Sequence, residues 1–548
     1  MADPFFITTA IDYTNGAPHI GHAYEKVLTD VLARYHRLKG DDVFFLTGVD
    51  QHGQKVQQSA EKQSVPPQEF VDGITAKFVA LWDKLNVRYD GWAATTAPNH
   101  KQCVRAILQR LWDDHGPDGQ SKWIYKKSEG GWYSVRQEQF LTDKERAADG
   151  EFGPEWQPVE YREEENFYFR LLAHKQWLLD LIDARSAAGK PLVIPDFRVA
   201  ELRNAVEKLE GDLCISRPAA RLQWGIPFPE SFGAGFVTYV WFDALVNYVS
   251  FAPGYDPAPA RPPEDFLRRW RGILHVIGKD ILIPAHGVYW PIMLKALGFA
   301  DEEIPRLLVH GWWNIRGKTG ESEKMSKTLG NVVDPDVLAD KYGAEAVRYY
   351  LMSDIVTGRD ADFSEERLVQ RYNTYLANSL GNLLNRTLNM ASKYRAGRIA
   401  KPTKPSQAID MEKLQIAITD YASGFDNFSV NDSLEEMSDL STSCNFMIEA
   451  NAPWSLAKST DQLKQEQLDD VLFSLAESLR IIAILVSPIL PKAAHGIFDQ
   501  LNWKTELSGN DSRFRLEDAH WGGLCADGEP HQLGKPTPLF PRIEAPTA

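Results

Sequence analysis

Two short stretches carry residue types that can grip phosphate. The first is Pro18-His19-Ile20-Gly21-His22. Its two imidazoles stand three residues apart, about one turn of a helix, and can donate hydrogen bonds to one anionic group. Gly21 between them leaves room for a flat base against the backbone. The second is Glu323-Lys324-Met325-Ser326-Lys327-Thr328, a polar run flanked by Gly317, Gly320 and Gly330. Lys324 and Lys327 are again three apart and suit a loop that closes on phosphates. Singly, each stretch has an ordinary explanation: surface histidines in a chance tetrapeptide, or a solvated charged loop. As a pair they point to a ligand whose phosphates and flat base are both held, a nucleotide.

A site of this kind needs strands that end at the ligand and a helix that begins there. Phe5–Thr9 is a short apolar, β-rich run that stops at the turn Asp12–Pro18. After it, Val27, Leu28, Val31, Leu32 and Tyr35 recur at helical spacing. Asp42–Leu46 reads as the next strand and Thr47–Gly53 as its exit loop. His275–Ile277 and Leu307–Val309 read as further buried strands, with a helix from about Ile281 to Leu297 between them. The fold class is α/β with a parallel sheet. The stretch 115–225 differs: it holds Gly130-Gly131, the acidic run Glu163–Glu165, prolines and isolated aromatics, and reads as an insertion between two halves of the sheet. Beyond Glu365 amphipathic patterns predict helices over Arg371–Lys393, Met411–Gly424, Val430–Glu449 and Leu468–Ser487, with an extended tail from Asn502. The expected division is 1–114 and 226–323 for the two halves of the catalytic domain, 115–225 for the insertion, 324–370 for the lysine loop and its sequel, and 371–548 for an all-α domain with tail.

Net charge is −15. This excludes a general nucleic-acid coat protein but not the binding of one nucleic acid through a local basic surface. The four cysteines, Cys103, Cys214, Cys444 and Cys525, form no CxxC pair, which fits a reducing compartment and leaves no cysteine zinc knuckle. An apolar strand from Phe5 leaves no room for a targeting segment, and no apolar run nears the roughly 20 residues of a membrane helix. A cytoplasmic protein is expected.

Read together and in this order, the HIGH and KMSKT stretches resemble the two signatures of class I aminoacyl-tRNA synthetases. ITTAIDYTNGAPHIGHAYE, TGVDQHG (Thr47–Gly53), YVWFDALVNY (Tyr239–Tyr248), IGKDI (Ile277–Ile281) and Gly311–Asp334 resemble the methionyl-tRNA synthetase family, over nearly the whole chain. The resemblance implies a Rossmann-type catalytic domain, a connective-peptide insertion, a stem-contact segment and a helical anticodon-binding domain. It implies methionine against Ile11, Tyr13, Trp241, Ala244, Tyr248 and His286, with its ammonium on Asp50. It implies ATP on His19, Gly21 and His22, with Gly278 and Asp280 at the ribose and Lys324 and Lys327 on the phosphates; Arg217 or its neighbour Arg221 is a further candidate. Asn389, Lys393 and Trp454 would face the anticodon of tRNA(Met). Mg²⁺ would accompany ATP. Where zinc-bearing members carry cysteine pairs, this chain has Gly131–Arg136, so a zinc-free knuckle packed on Trp132, Tyr133 and Phe140 is expected. A cysteine-specific ligase would need zinc-binding cysteines that are missing here. A small nucleotidyltransferase would not need the helical domain. The insertion is too short to house the editing site of the branched aliphatic synthetases. No oligonucleotide-binding module follows Leu539–Ile543, so a monomer is expected.

Overall fold

The structure, a computed structural model, describes residues 2–137, 139–147, 149–316, 321–325 and 331–544. Its centre is a seven-stranded sheet in which every pairing is parallel. The first strand, Pro4–Thr9, lies between Asp42–Asp50 and Leu274–Gly278, with Ile7 opposite both Phe45 and Leu274. Arg306–His310 and Val193–Ile194 extend one side; Gly91–Ala94 and Asp12–Tyr13 both pair with Asp42–Asp50 on the other. Phe6 and Ile7, on opposite faces, are both buried, as a parallel sheet covered on both sides requires. The first helix, Ile20–Lys39, buries Val27, Leu28, Val31, Leu32 and Tyr35 on one of those faces and ends at Gly40, which takes the left-handed conformation (φ 96°).

The chain departs from the sequence reading in three places. The parallel sheet recruits Val193–Ile194 from inside the stretch 115–225, so that stretch is not wholly insertion. The inserted part proper is a four-stranded antiparallel sheet, ordered Gln139–Leu141, Ile124–Ser134, Val159–Phe169, Leu213–Cys214. In its knuckle Trp132 meets the rings of Phe152 and Tyr161 with centres 6.2 and 5.6 Å apart, and cations add to this ring packing. Trp132 is 41% exposed, whereas buried Tyr133 has the guanidinium groups of Arg162 and Arg221 each 4.5 Å from its ring. The side chain of Phe140 lies outside the described residues. Thirdly, the helix expected over 281–297 is two pieces, a wide-pitch Leu282–Tyr289 and a regular Trp290–Ala296. Ile283 is extended (φ −116°, ψ 127°) because it precedes Pro284.

The C-terminal half is helical as expected. Ser364 caps a helix at Glu365, earlier than the apolar pattern shows, and the helical backbone then runs to Arg395 through a wide-pitch segment, Tyr372–Gly381. Met411–Asp426, Val430–Asn451 and Gln462–Val486 follow. One continuous apolar core spans the first helix and this domain. Tyr35 stacks on Phe425 with ring centres 4.3 Å apart. At the same junction the fully buried Arg348 donates to the carbonyls of Leu85, Pro488 and Ile489 and pairs with Asp30 of the first helix at 2.7 Å. Among the described residues no helix is long and apolar enough to cross a membrane.

Candidate active site

The chain passes from the first strand to Asp42–Asp50 on one side and later returns to Leu274–Gly278 on the other. A crevice opens where strand order reverses, at the carboxyl ends. Ala10, Asp50, Gly278 and His310, at or just beyond the ends of four adjacent strands, line one cavity of about 410 Å³. The first helix points its amino end into it. His19 caps that helix, its Nδ1 accepting from the Gly21 N–H at 3.1 Å. His22 Nδ1 accepts from the His19 N–H at 3.1 Å. A neutral imidazole whose Nδ1 accepts carries its proton on Nε2, so both rings are Nε2–H donors. A methyl group on Gly21 would meet the His19 ring at 3.0 Å and crowd that imidazole.

The wall opposite holds the apolar candidates. Trp241 and Ala244 sit on the short helix Val240–Leu245. Tyr248 is buried; its hydroxyl lies 2.7 Å from His286 Nε2, and His286 Nδ1 lies 3.0 Å from the Ile281 carbonyl. The carbonyl can only accept, so His286 is protonated on Nδ1 and Nε2 accepts from the tyrosine. Burial pushes the His286 pKa down to about 4, keeping the ring neutral at pH 7. The unfolded chain would protonate this histidine near 6.5, so between 6.5 and 4 the unfolded state binds more protons. The stability this histidine contributes is present above pH 6.5 and lost as pH falls to 4, on the order of 3 kcal/mol. Denaturant unfolding of wild type and His286→Gln should show their stability gap shrinking by that order across this window; a constant gap would contradict a neutral buried ring.

Ile11, just after the first strand, and Tyr13, on the short strand Asp12–Tyr13, flank the cavity. Asp50 ends its own strand there, its Oδ1 3.3 Å from Thr95 Oγ1 and 3.4 Å from the His52 N–H. Asp280 and Lys324 stand at the mouth. The Trp312 Nε1–H donates to Asp280 at 3.3 Å, and the Lys324 ammonium lies 3.6 Å from the Trp312 ring centre. A Cβ on Gly278 would meet Asp280 Oδ1 at 2.7 Å. Every sequence-derived candidate for methionine or ATP that the structure describes therefore lines this cavity, Arg217 and Arg221 excepted. Arg217 packs on the Tyr239 ring at 4.1 Å and Arg221 pairs with Glu164 at 2.8 Å. Lys327 lies outside the described residues. Sequence reasoning passed over Asp12, Glu25, His310 and Trp312, which also line the cavity. Glu25 stands three residues after His22, and that helical spacing was the available signal.

Comparison with known proteins finds two family matches that together run through most of the chain. Residues 5–150 and 155–388 match the family described as tRNA synthetases class I (M). Residues 400–530 match the anticodon binding domain of methionyl tRNA ligase. The chain belongs to the methionyl-tRNA synthetase family. Its enzyme class is accordingly aminoacyl-tRNA ligase. It is 37% identical to the methionine–tRNA ligase of Thermosynechococcus vestitus, over 100% of this chain and 99% of that one. It is also 37% identical to that of Nostoc, over 98% and 97%. Among solved structures, the Mycobacterium tuberculosis methionyl-tRNA synthetase in complex with methionyl-adenylate superposes with a TM-score of 0.85 at 34% identity, covering 98% of this chain and all of that one.

The helical domain places its candidates on the surface. Asn389 and Lys393 are exposed on Asn382–Arg395. Ala452 adopts a left-handed backbone (φ 41°), Pro453 starts a new helical turn, and Trp454 is 40% exposed, so it is not a core anchor. Arg386, on the helix of Asn389 and Lys393, pairs with Glu449 at 2.6 Å, which holds that helix beside the segment leading to Trp454.

Proposed function

We propose that this cavity carries out both half-reactions of methionine–tRNA ligation with the following division of labour. Methionine lies against Ile11, Tyr13, Trp241, Ala244, Tyr248 and His286. A flexible, polarizable thioether suits a wall of aromatic edges. Asp50 takes the ammonium, a charge-assisted contact. ATP lies along the amino end of the first helix. Gly21 admits the base, Gly278 and Asp280 hold the ribose, and the Nε2–H donors of His19 and His22 face the phosphates. Lys324 and Lys327 close over them, with Mg²⁺ accompanying ATP as substrate counter-ion. The methionine carboxylate attacks the α-phosphorus in line, and pyrophosphate leaves. The terminal hydroxyl of tRNA(Met) then attacks the acyl carbonyl, releasing AMP and a proton. What carries this reading is that thirteen residues implied by the family resemblance line one cavity at the switch point of the sheet.

Three further readings belong with it. The inserted knuckle works without zinc. The support for this is that the four cysteines form no CxxC pair and that Gly131–Arg136 stands where zinc-bearing members carry cysteines. The enzyme acts as a monomer in the cytoplasm. Asn389, Lys393 and Trp454 read the anticodon, by stacking and by hydrogen bonds to unpaired bases.

The anticodon role has a direct test. Trp454→Ala should leave methionine-dependent ATP–pyrophosphate exchange intact, because tRNA takes no part in it. Charging should fall, since loss of one stacking contact costs about 1–3 kcal/mol, a factor of roughly 5 to 150. Most of the loss should appear in the tRNA term. Normal charging by the variant would overturn the assignment.

A further inference from the structure

Beneath the cavity floor lies a buried ammonium that the division of labour above does not use. Lys26, in the second turn of the first helix, is fully buried. Its Nζ donates to Asp12 Oδ1 at 2.6 Å, to Glu25 Oε1 at 2.8 Å and to the Ala10 carbonyl at 3.0 Å. An ammonium has three protons, so these acceptors saturate it. The network continues: Glu25 Oε2 lies 3.1 Å from His310 Nε2. Asp12, Glu25 and His310 all line the cavity, whereas Lys26 does not. Burial disfavours the Lys26 charge, but Asp12 and Glu25 more than offset this and its pKa stands above the ordinary value. Burial also lifts Asp12, to about 7, against the pull of Lys26; its Oδ2 is buried and has no hydrogen-bond partner.

The segments joined here belong to different halves of the cavity. Ala10 and Asp12 bracket Ile11 and precede Tyr13, on the side read above as the amino-acid pocket. Glu25 lies one turn beyond His22, on the side read as the nucleotide pocket. We propose that Lys26 is a positioning residue for adenylate formation: it ties the Ala10–Asp12 turn to the first helix and so fixes the distance and angle between the methionine and ATP subsites. In-line attack depends on that relation, whereas binding of either substrate alone does not. This rests on the reading of the cavity as the methionine and ATP site.

The test separates alignment from stability. Lys26→Met alone would strand buried carboxylates, so it is combined with Asp12→Asn, which removes the cation and one of its anions together. Methionine affinity is measured by equilibrium binding without ATP, and adenylate formation by single-turnover kinetics, with melting temperatures alongside. The double variant should bind methionine within about threefold of wild type but form adenylate roughly 100-fold more slowly, the penalty of a misalignment near 1 Å. Asp12→Asn alone keeps the shape and an Oδ1 acceptor for Lys26 but turns an ion pair into a weaker, neutral-acceptor hydrogen bond; it should slow the step by about fivefold, the difference between those two bonds, at unchanged affinity, and it serves if the double variant does not fold. A wild-type rate in a folded variant, or a rate loss matched by an equal loss of methionine binding, would overturn the proposal. Wild-type protein without methionine-dependent exchange would instead overturn the reading of the cavity.

Discussion

Asp50→Asn should raise the dissociation constant for methionine roughly 150-fold, about 3 kcal/mol, with little change in melting temperature. The substitution keeps the side chain's size, so Thr95 Oγ1 still has a partner at its 3.3 Å distance. What it removes is the negative charge at the carboxyl end of the strand Asp42–Asp50. Asp50 is only 7% exposed, so an ammonium bound there is largely stripped of water and its neutral replacement leaves that charge uncompensated. The penalty is therefore that of breaking a desolvated pair and not that of a surface ion pair, which would be about 1 kcal/mol or less. Calorimetric titration with methionine in the absence of ATP reads the effect directly. An affinity unchanged by the substitution would remove Asp50 from the ammonium site.

Lys327→Ala should slow adenylate formation by two to three orders of magnitude, about 3–4 kcal/mol, while methionine binding is unchanged. The lysine meets the phosphates most strongly as charge develops on the departing pyrophosphate, so its loss falls on the rate constant and not on ground-state affinity. Single-turnover kinetics at saturating methionine and ATP isolates the step. A normal rate constant accompanied only by weaker ATP binding would exclude a transition-state role.

The cavity was legible in the sequence because its chemistry sits in short loops at the ends of strands, where Gly21, Gly278 and the twin histidines leave compact signatures. The network under it was not. Glu25-Lys26 reads as a solvated pair on a helix, and the rule that charged residues stay outside assigns it to the surface. Tertiary packing buries it, with Ala10–Asp12, Trp82 and His310 brought against the first helix. Arg348 was hidden for the same reason, a lone cation within YGAEAVRYYLM. The strand Val193–Ile194 has two residues, too few for any periodicity, and is a strand only because Arg306–His310 lies beside it. The helical domain was easier, since patterns of 14 to 23 residues outweigh local exceptions. Its errors lie at the ends, where Ser364 and Asp461 cap helices before their apolar stripes begin.

The junction at Arg348 bears on how such a protein can be taken apart. Its guanidinium is satisfied by carbonyls at Leu85, Pro488 and Ile489 and by the carboxylate of Asp30, contributed by both ends of the chain. Severing the chain ahead of the terminal helices would strip two of those carbonyls away and open a shared interior to water. Modular exchange, in which one recognition domain is grafted onto another's catalytic unit, therefore has no clean seam here. A graft would have to carry Arg348, Asp30 and the Pro488-Ile489 turn as one inherited joint.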